Sequence, residues 1–311
     1  MNTKLTRILA AALAVPLALG LAACSSSGSS SSSAAVTHDF SKPASATNQV
    51  TINVGVTDGS QPHWKTLTKL AAKDHITLVV KTFTDYQQPN PAVTDGSLQV
   101  NQFQHILFLA NYNAKANGSL VPVAATAVYP LGLYSKKHKS VSDFPKGGVV
   151  AIPNDATNQS RALLVLQGAG LLKLKDGGNA FSSPADIIAD QSKVTVKPVN
   201  ANQTAISLQD VDGSIINQNY ITDAGLKASD AIYSDAKSNL SDPYINIWAA
   251  TAKNKNNPNL KKLVSIYKNS KEVQNEVQKQ SDGTAVFKFD KSQASLQKIL
   301  DGLVSKIKAQ S

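Results

Sequence analysis

The chain has 311 residues, a formal charge of +10 and one cysteine, so it can bury one large core or two smaller ones but cannot form a disulfide within itself. Its positive charge comes from scattered lysines with only two arginines, which excludes the arginine-rich, aromatic-laced patches of nucleic-acid readers. Gly-x-Ser-x-Gly, His-Glu-x-x-His and phosphate-loop sequences are missing, and the five histidines lack metal-ligand spacing, which disfavours hydrolase, metal and nucleotide chemistry.

Lys4 and Arg7 precede an apolar run, Ile8 to Ala23, without an acidic residue. Basic, apolar and small-residue regions in that order read as a signal peptide over residues 1–23, and the run is short for a spanning helix. Leu21-Ala22-Ala23-Cys24 resembles the lipobox of bacterial lipoproteins. That likeness implies cleavage before Cys24, lipidation of Cys24 and a body held at the extracytoplasmic face of the cell membrane. Cleavage removes Lys4 and Arg7 and no acid, leaving a charge of +8. Residues 25–35, SSSGSSSSSAA, cannot bury a core, and residues 24–48 read as the lipidated cysteine and a Ser-rich tether.

Val50–Val56 alternates as a strand, Pro62 to Lys73 reads as a helix and Ile76–Phe83 as a second strand. His63-Trp64 and His75 read as surface or turn residues. Leu98–Gln102 is polar, Ile106–Leu109 is apolar, and Leu120–Val123 and Ala127–Tyr134 are further strand candidates. A second α/β run follows Lys136-Lys137. Its centre is Val149–Gln167: a short apolar strand, a break at Pro153-Asn154-Asp155 with Asn154 or Asp155 as helix cap, and a helix ending near Gly168 or Gly170. A helix near Pro184–Ala189, a strand at Lys193–Val199, a helix at Thr204–Gln209 and a buried strand at Gly213–Ile216 come next. Tyr244–Ala250 leads the chain back, and Asn259–Gln280 and Ser292–Ala309 are helical by apolar spacing. Strands alternating with helices predict an α/β fold with mostly parallel sheets, whose ligands sit at the carboxyl ends of the strands.

Arg161 follows Asn158 by three residues, on the same helix face, and is the only arginine left once residues 1–23 are removed. A planar fork for a carboxylate requires arginine; the alternative is an ion pair at the surface or core edge.

The stretches Phe83–Asn90, Asn101-Gln102-Phe103-Gln104-His105, Val128-Tyr129-Pro130, Ile152–Asn158 with Arg161, Ile216-Asn217 with Tyr220, and Pro243-Tyr244-Ile245-Asn246 run in one order along the chain. In this order they resemble the NlpA/MetQ family, lipoprotein substrate-binding components of methionine ABC importers. The resemblance implies a two-lobed, periplasmic-binding-protein-like fold, each lobe a mostly parallel sheet flanked by helices, joined by two crossing strands. Lobe I would comprise residues 49–133 and 248–311, and lobe II residues 134–247. It further implies a monomeric binding protein without cofactor or catalysis, delivering methionine or a related amino acid to an importer permease and, through it, to its ATPase. On this reading Arg161 and Asn158 take the ligand carboxylate, while Asn217 and Asn246 hold its ammonium or carboxylate. Tyr86, Phe103 and Tyr129 wall the side-chain pocket, and His105 donates to the ligand or is a satisfied, partly buried histidine. Two alternatives stay open: a ligand that is another amino acid or a short peptide, and a lysine-rich surface that makes the protein an interaction or adhesion module.

Overall fold

The computed structural model describes residues 36–236 and 242–310, so the signal peptide, Cys24 and the tether up to residue 35 lie outside the described residues. Among the described residues no helix is long and apolar enough to cross a membrane.

Strand β1 (Val50–Val56) buries Val50, Ile52, Val54 and Val56 and pairs in parallel with β2 (Ile76–Thr82) on one side and β3 (Val100–His105) on the other. Between them run α1 (Pro62–Ala72) and α2 (Pro89–Thr94), each with proline in its first turn, where the missing N–H costs nothing. Helix α3 (Ile106–Lys115) starts where β3 stops, and β4 (Leu120–Ala125) follows. Next come β5 (Ala127–Val128), β6 (Gly132–Tyr134), β7 (Gly148–Pro153), α4 (Ala156–Gly168), β8 (Val194–Val199), α5 (Thr204–Ser207), β9 (Gly213–Ile216) and β10 (Tyr233–Ser234). The chain returns through β11 (Asn246–Thr251) and ends in α6 (Pro258–Asn269), α7 (Lys271–Gln280), β12 (Val286–Phe287) and α8 (Gln293–Ala309).

Two five-stranded sheets result, ordered β2-β1-β3-β11-β4 and β10-β6-β9-β7-β8. Both are mixed: β11 is antiparallel between β3 and β4, and β6 and β10 are antiparallel to their neighbours. Strand β11 alternates across the first sheet. Trp248 and Ala250 enter a core with α1, α6 and α7, and Ile247 and Ala249 enter one with α3 and α8. The second sheet is covered by α4, whose Ala162, Leu163, Val165 and Leu166 are buried against Val150 and Ile152.

Some expectations change. Ala127–Tyr134 is not one strand: β5 pairs with β12 in a two-stranded sheet of their own and β6 pairs with β9, so Tyr129-Pro130-Leu131 passes from that small sheet to the second five-stranded sheet. Pro130 has no N–H for a ladder, which suits it to a crossing. Near Pro184–Ala189 only two 3₁₀ turns form, Pro184–Asp186 and Ala189–Gln191. His63 and Trp64 are not at the surface; they are 3% and 1% exposed, with Trp64 edge-on to Trp248 at 5.9 Å and donating from Nε1 to Asp58 at 2.9 Å. Trp64, Leu67 and Ala71 fall at helical spacing, and that buried stripe outweighs the polar neighbours Gln61 and Lys65.

Candidate functional site

The candidate residues lie in the last residues of β3, in the segments and helix that follow β2, β5, β7 and β9, and at the start of β11. All eight of them, Tyr86, Phe103, His105, Tyr129, Asn158, Arg161, Asn217 and Asn246, line one cleft. Gln104, Phe108, Gln218 and Asn219 join them.

Asp155 sets the polarity of one wall. It caps α4 by accepting from the Asn158 backbone N–H at 3.0 Å, and both its oxygens accept from Asn158 Nδ2 at 3.0 Å. A carboxylate only accepts, so the Asn158 amide must turn its nitrogen to Asp155 and its Oδ1 away. Asn217 Nδ2 donates to that oxygen at 2.9 Å, which leaves Asn217 Oδ1 buried and without a partner among the described residues. Burial pushes the Asp155 carboxyl up, and the donors from Asn158 and Thr157 oppose the shift.

The opposite polarity comes from His105 and Arg161. His105 ends β3 and caps α3, its Nδ1 accepting from the Phe108 N–H at 3.1 Å. The ring hydrogen therefore sits on Nε2, a buried donor without a close hydrogen bond to a described residue, with the Asn158 side chain near enough to oppose the fall in its pKa. Burial, with the Arg161 charge beside it, drives the His105 pKa down to about 3, so the ring stays neutral. Arg161 is not the free fork that its isolation in the sequence suggested. Its Nε donates to Asp235 Oδ2 at 2.7 Å, its Nη2 to Asp235 Oδ1 at 3.2 Å and to the Tyr129 carbonyl at 2.9 Å, and it lies over the Tyr244 ring at 4.2 Å. Its Nη1 makes no hydrogen bond to a described residue. Asp235, 74 positions away, also accepts from the Leu131 N–H at 2.8 Å. The ion pair thus holds the Tyr129-Pro130-Leu131 crossing from both sides, a role that residue spacing did not reveal.

The remaining wall is aromatic. Tyr86, Phe103 and Phe108 pack with ring centroids 5.7 to 6.0 Å apart, and Tyr220 joins Tyr86 at 5.4 Å. Tyr129 adds its ring to the cleft and its carbonyl to Arg161. Asn246 lines the cleft with its amide nitrogen 3.4 Å from the Tyr244 carbonyl. Gln104 and Asn101 instead form a buried amide network with Asn90 of α2, with bonds of 2.6 to 2.9 Å, which fixes β3 beneath the site.

Hydrogen bonds close the rim. Asn219 of the second lobe grips two groups of the first, accepting from the Tyr86 hydroxyl at 2.8 Å and donating to Thr57 Oγ1 at 2.6 Å. Asn200 donates to Asp85 at 2.8 Å, Asn202 to the Thr84 carbonyl at 3.1 Å, and Gln218 to the Gln280 carbonyl at 3.2 Å. Asn219 was missed because Asn217-Gln218-Asn219 gives no sign of which amide turns to the ligand and which to the rim.

A pH dependence follows. His63 and His105 both have depressed pKa values in the folded chain, chiefly through burial. Below pH 6.5 the unfolded chain takes up protons that the folded chain refuses, so stability is full above 6.5 and falls as the pH drops, by up to about 1.4 kcal/mol per pH unit for each histidine. Urea melts between neutral pH and pH 5 should show this slope, and His105→Asn, which keeps an oxygen for the Phe108 N–H, should reduce it. A flat wild-type profile would contradict the burial of both rings.

Two α/β lobes, with a cleft walled by opposed polar groups and aromatic rings at the strand ends, define the class of solute-binding proteins. Within it the chain belongs to the NlpA lipoprotein family, whose profile matches residues 52–289. It is 37% identical over 238 residues to the "Probable D-methionine-binding lipoprotein MetQ" of Pasteurella multocida, covering 76% of this chain and 85% of that one. The structure resembles the substrate binding protein of a methionine transporter from Streptococcus pneumoniae (TM-score 0.70, 34% identity, 76% of this chain and 95% of that one). It also resembles a nutrient binding protein from Burkholderia cenocepacia bound to methionine (TM-score 0.69, 37% identity, 76% and 100% of the two chains).

Proposed function

We propose that this chain is an extracytoplasmic binding lipoprotein, anchored through Cys24, that captures methionine or a closely related amino acid as a monomer and delivers it to the permease of an ABC importer. The observation that carries the reading is the polarity of the cleft. On this reading two donors, His105 Nε2–H and the Arg161 Nη1 left over by the bonds to Asp235 and Tyr129, meet a carboxylate; the acceptor Asn217 Oδ1 meets an ammonium; the Tyr86, Phe103 and Phe108 rings meet an apolar side chain. Aromatic edges suit a thioether. The roles of Asn158 and Asn246 differ on this reading: Asn158 orients Asn217, and Asn246 faces the ligand directly.

A mass spectrum of the denatured, as-purified protein tests the ligand, followed by calorimetry on refolded protein with both enantiomers of methionine. Bound methionine, or binding to the stripped protein, supports the reading. No bound amino acid and no heat from either enantiomer would sink it. Metabolic acyl labelling tests the anchor, since Cys24→Ala should abolish both label and membrane retention.

The amide relay makes a sharper test. Asp155→Asn removes the group that forces the Asn158 orientation, so Asn217 can turn its nitrogen toward the ligand ammonium. Loss of one charge-facing hydrogen bond costs about 1.5 to 3 kcal/mol, roughly ten- to over a hundredfold in affinity. Affinity within twofold of wild type would remove the relay from the site.

A further inference from the structure

The positive charge is unevenly placed. Residues 250–311 hold twelve lysines against five acidic residues, whereas residues 24–249 hold 17 basic against 16 acidic. Much of this excess falls on one layer. Helices α6 and α7 bury Leu260, Leu263, Tyr267, Val273 and Val277 in the same core as Trp64, Leu67 and Ala71 of α1, so the three helices cover one face of the first sheet. With their apolar stripes turned inward, Lys65, Lys69, Lys261, Lys268, Lys271 and Lys279 are exposed on the outer side. The acids of the layer do little to offset them. Asp74 is paired with Lys262 at 2.8 Å, Glu276 accepts from Thr66 Oγ1 at 3.0 Å, Asp282 accepts from the Ser229 N–H at 3.1 Å, and Glu272 is added.

The chain also enters the fold at this layer. Asn259, in the first turn of α6, donates to the carbonyls of Phe40 and Lys42 at 2.9 Å and accepts from the Ala44 N–H at 2.8 Å. Residues 37–48 are thereby strapped across the start of α6. Residues 24–35, twelve in number, precede this strap, and twelve residues span at most about 40 Å.

We propose that the outer face of α1, α6 and α7 is a docking surface for anionic lipid, and that the body rests by this face on the membrane that holds its N-terminus. The setting draws on the reading of Cys24 as an anchor. The surface itself does not, because it is built from lysines of the folded body. Each lysine brought to an anionic bilayer raises partitioning about fivefold, and the attraction decays within about 8–10 Å at moderate salt. A lysine layer beside the entry point of a short connection is therefore placed where that attraction acts. Helices α1, α6 and α7 carry seven lysines and two glutamates, whereas α8 on the opposite layer carries three lysines and Asp301, so this face turns to the lipid before that one.

Co-sedimentation of the chain from residue 24 onward, prepared without acyl groups, tests the surface apart from the anchor. The probes are vesicles of phosphatidylcholine alone and of phosphatidylcholine mixed with phosphatidylglycerol. Wild type should bind the mixed vesicles, release them in high salt and ignore the neutral ones. The quadruple variant Lys65→Gln, Lys69→Gln, Lys261→Gln, Lys279→Gln should lose at least about tenfold in partitioning. A triple variant on α8, Lys298→Gln, Lys306→Gln, Lys308→Gln, lies on the opposite layer and should keep wild-type binding. Thermal melts confirm that both variants are folded. Equal binding of wild type to both vesicle types, or an equal loss in the α8 variant, overturns the proposal, and acyl labelling of the full chain reports separately on the anchor.

Discussion

Arg161→Ala should weaken ligand binding by about 30-fold to several-thousandfold, equivalent to about 2–5 kcal/mol for removing a charged partner from a closed site. The same change should also cost stability. Arg161 and Asp235 are both largely buried, and removing one leaves the other charge uncompensated, which typically costs about 3–5 kcal/mol. The two losses can be separated with Arg161→Ala/Asp235→Asn. An asparagine at 235 keeps an oxygen for the Leu131 N–H and removes the stranded charge, so stability should recover while affinity stays low. Arg161→Lys should rescue neither fully, because one ammonium cannot serve Asp235, the Tyr129 carbonyl and a ligand from a planar fork. Calorimetry on stripped protein and urea melts on the three variants give the answer. If the double variant regains wild-type affinity along with its stability, Arg161 is a strut for the crossing and does not hold the ligand.

Trp64→Ala should cost about 3–5 kcal/mol, near the upper end for a buried aromatic. The ring is 1% exposed, stands edge-on to Trp248 and holds Asp58 through Nε1, so truncation opens a cavity and frees a carboxylate oxygen at the same time. Asp58 and His63 line a second cavity that shares Phe103, Tyr129, Gln218, Asn219 and Asn246 with the candidate cleft. Packing at Trp64 therefore sets one side of the site's surroundings. Lys69→Ala on the exposed face of the same helix should change stability by less than about 0.5 kcal/mol. A melt that places Trp64→Ala within 1 kcal/mol of wild type would contradict its burial.

The strand-turn-helix unit around Val149–Gln167 was legible because its signals are local: an apolar run, a proline break, a capping aspartate and a glycine stop. Asn217 and Asn246 could be picked out because each adjoins an apolar strand where an amide must find a partner. The partner of Arg161 could not. Asp235 follows the two-residue strand β10, carries no periodic signal, and meets Arg161 only because the fold returns it to the crossing. Phe108 was equally hidden, since its place in the cleft depends on His105 ending a strand and starting a helix in one residue. The split of Ala127–Tyr134 came from sheet pairing and not from propensity: Pro130 hinted at a break, but only the partners β12 and β9 decide which half belongs to which sheet.

The rim that joins the lobes has a kinetic consequence. Asn219, Asn200, Asn202 and Gln218 bond to the facing lobe through protein groups alone, so part of the free energy of closure is independent of cargo. The cleft then spends part of its time shut before any ligand arrives, and a ligand must wait for it to open. The observed capture rate should rise with concentration and level off at the opening rate instead of climbing to the diffusion limit. The same bonds delay escape, so a captured molecule should leave slowly.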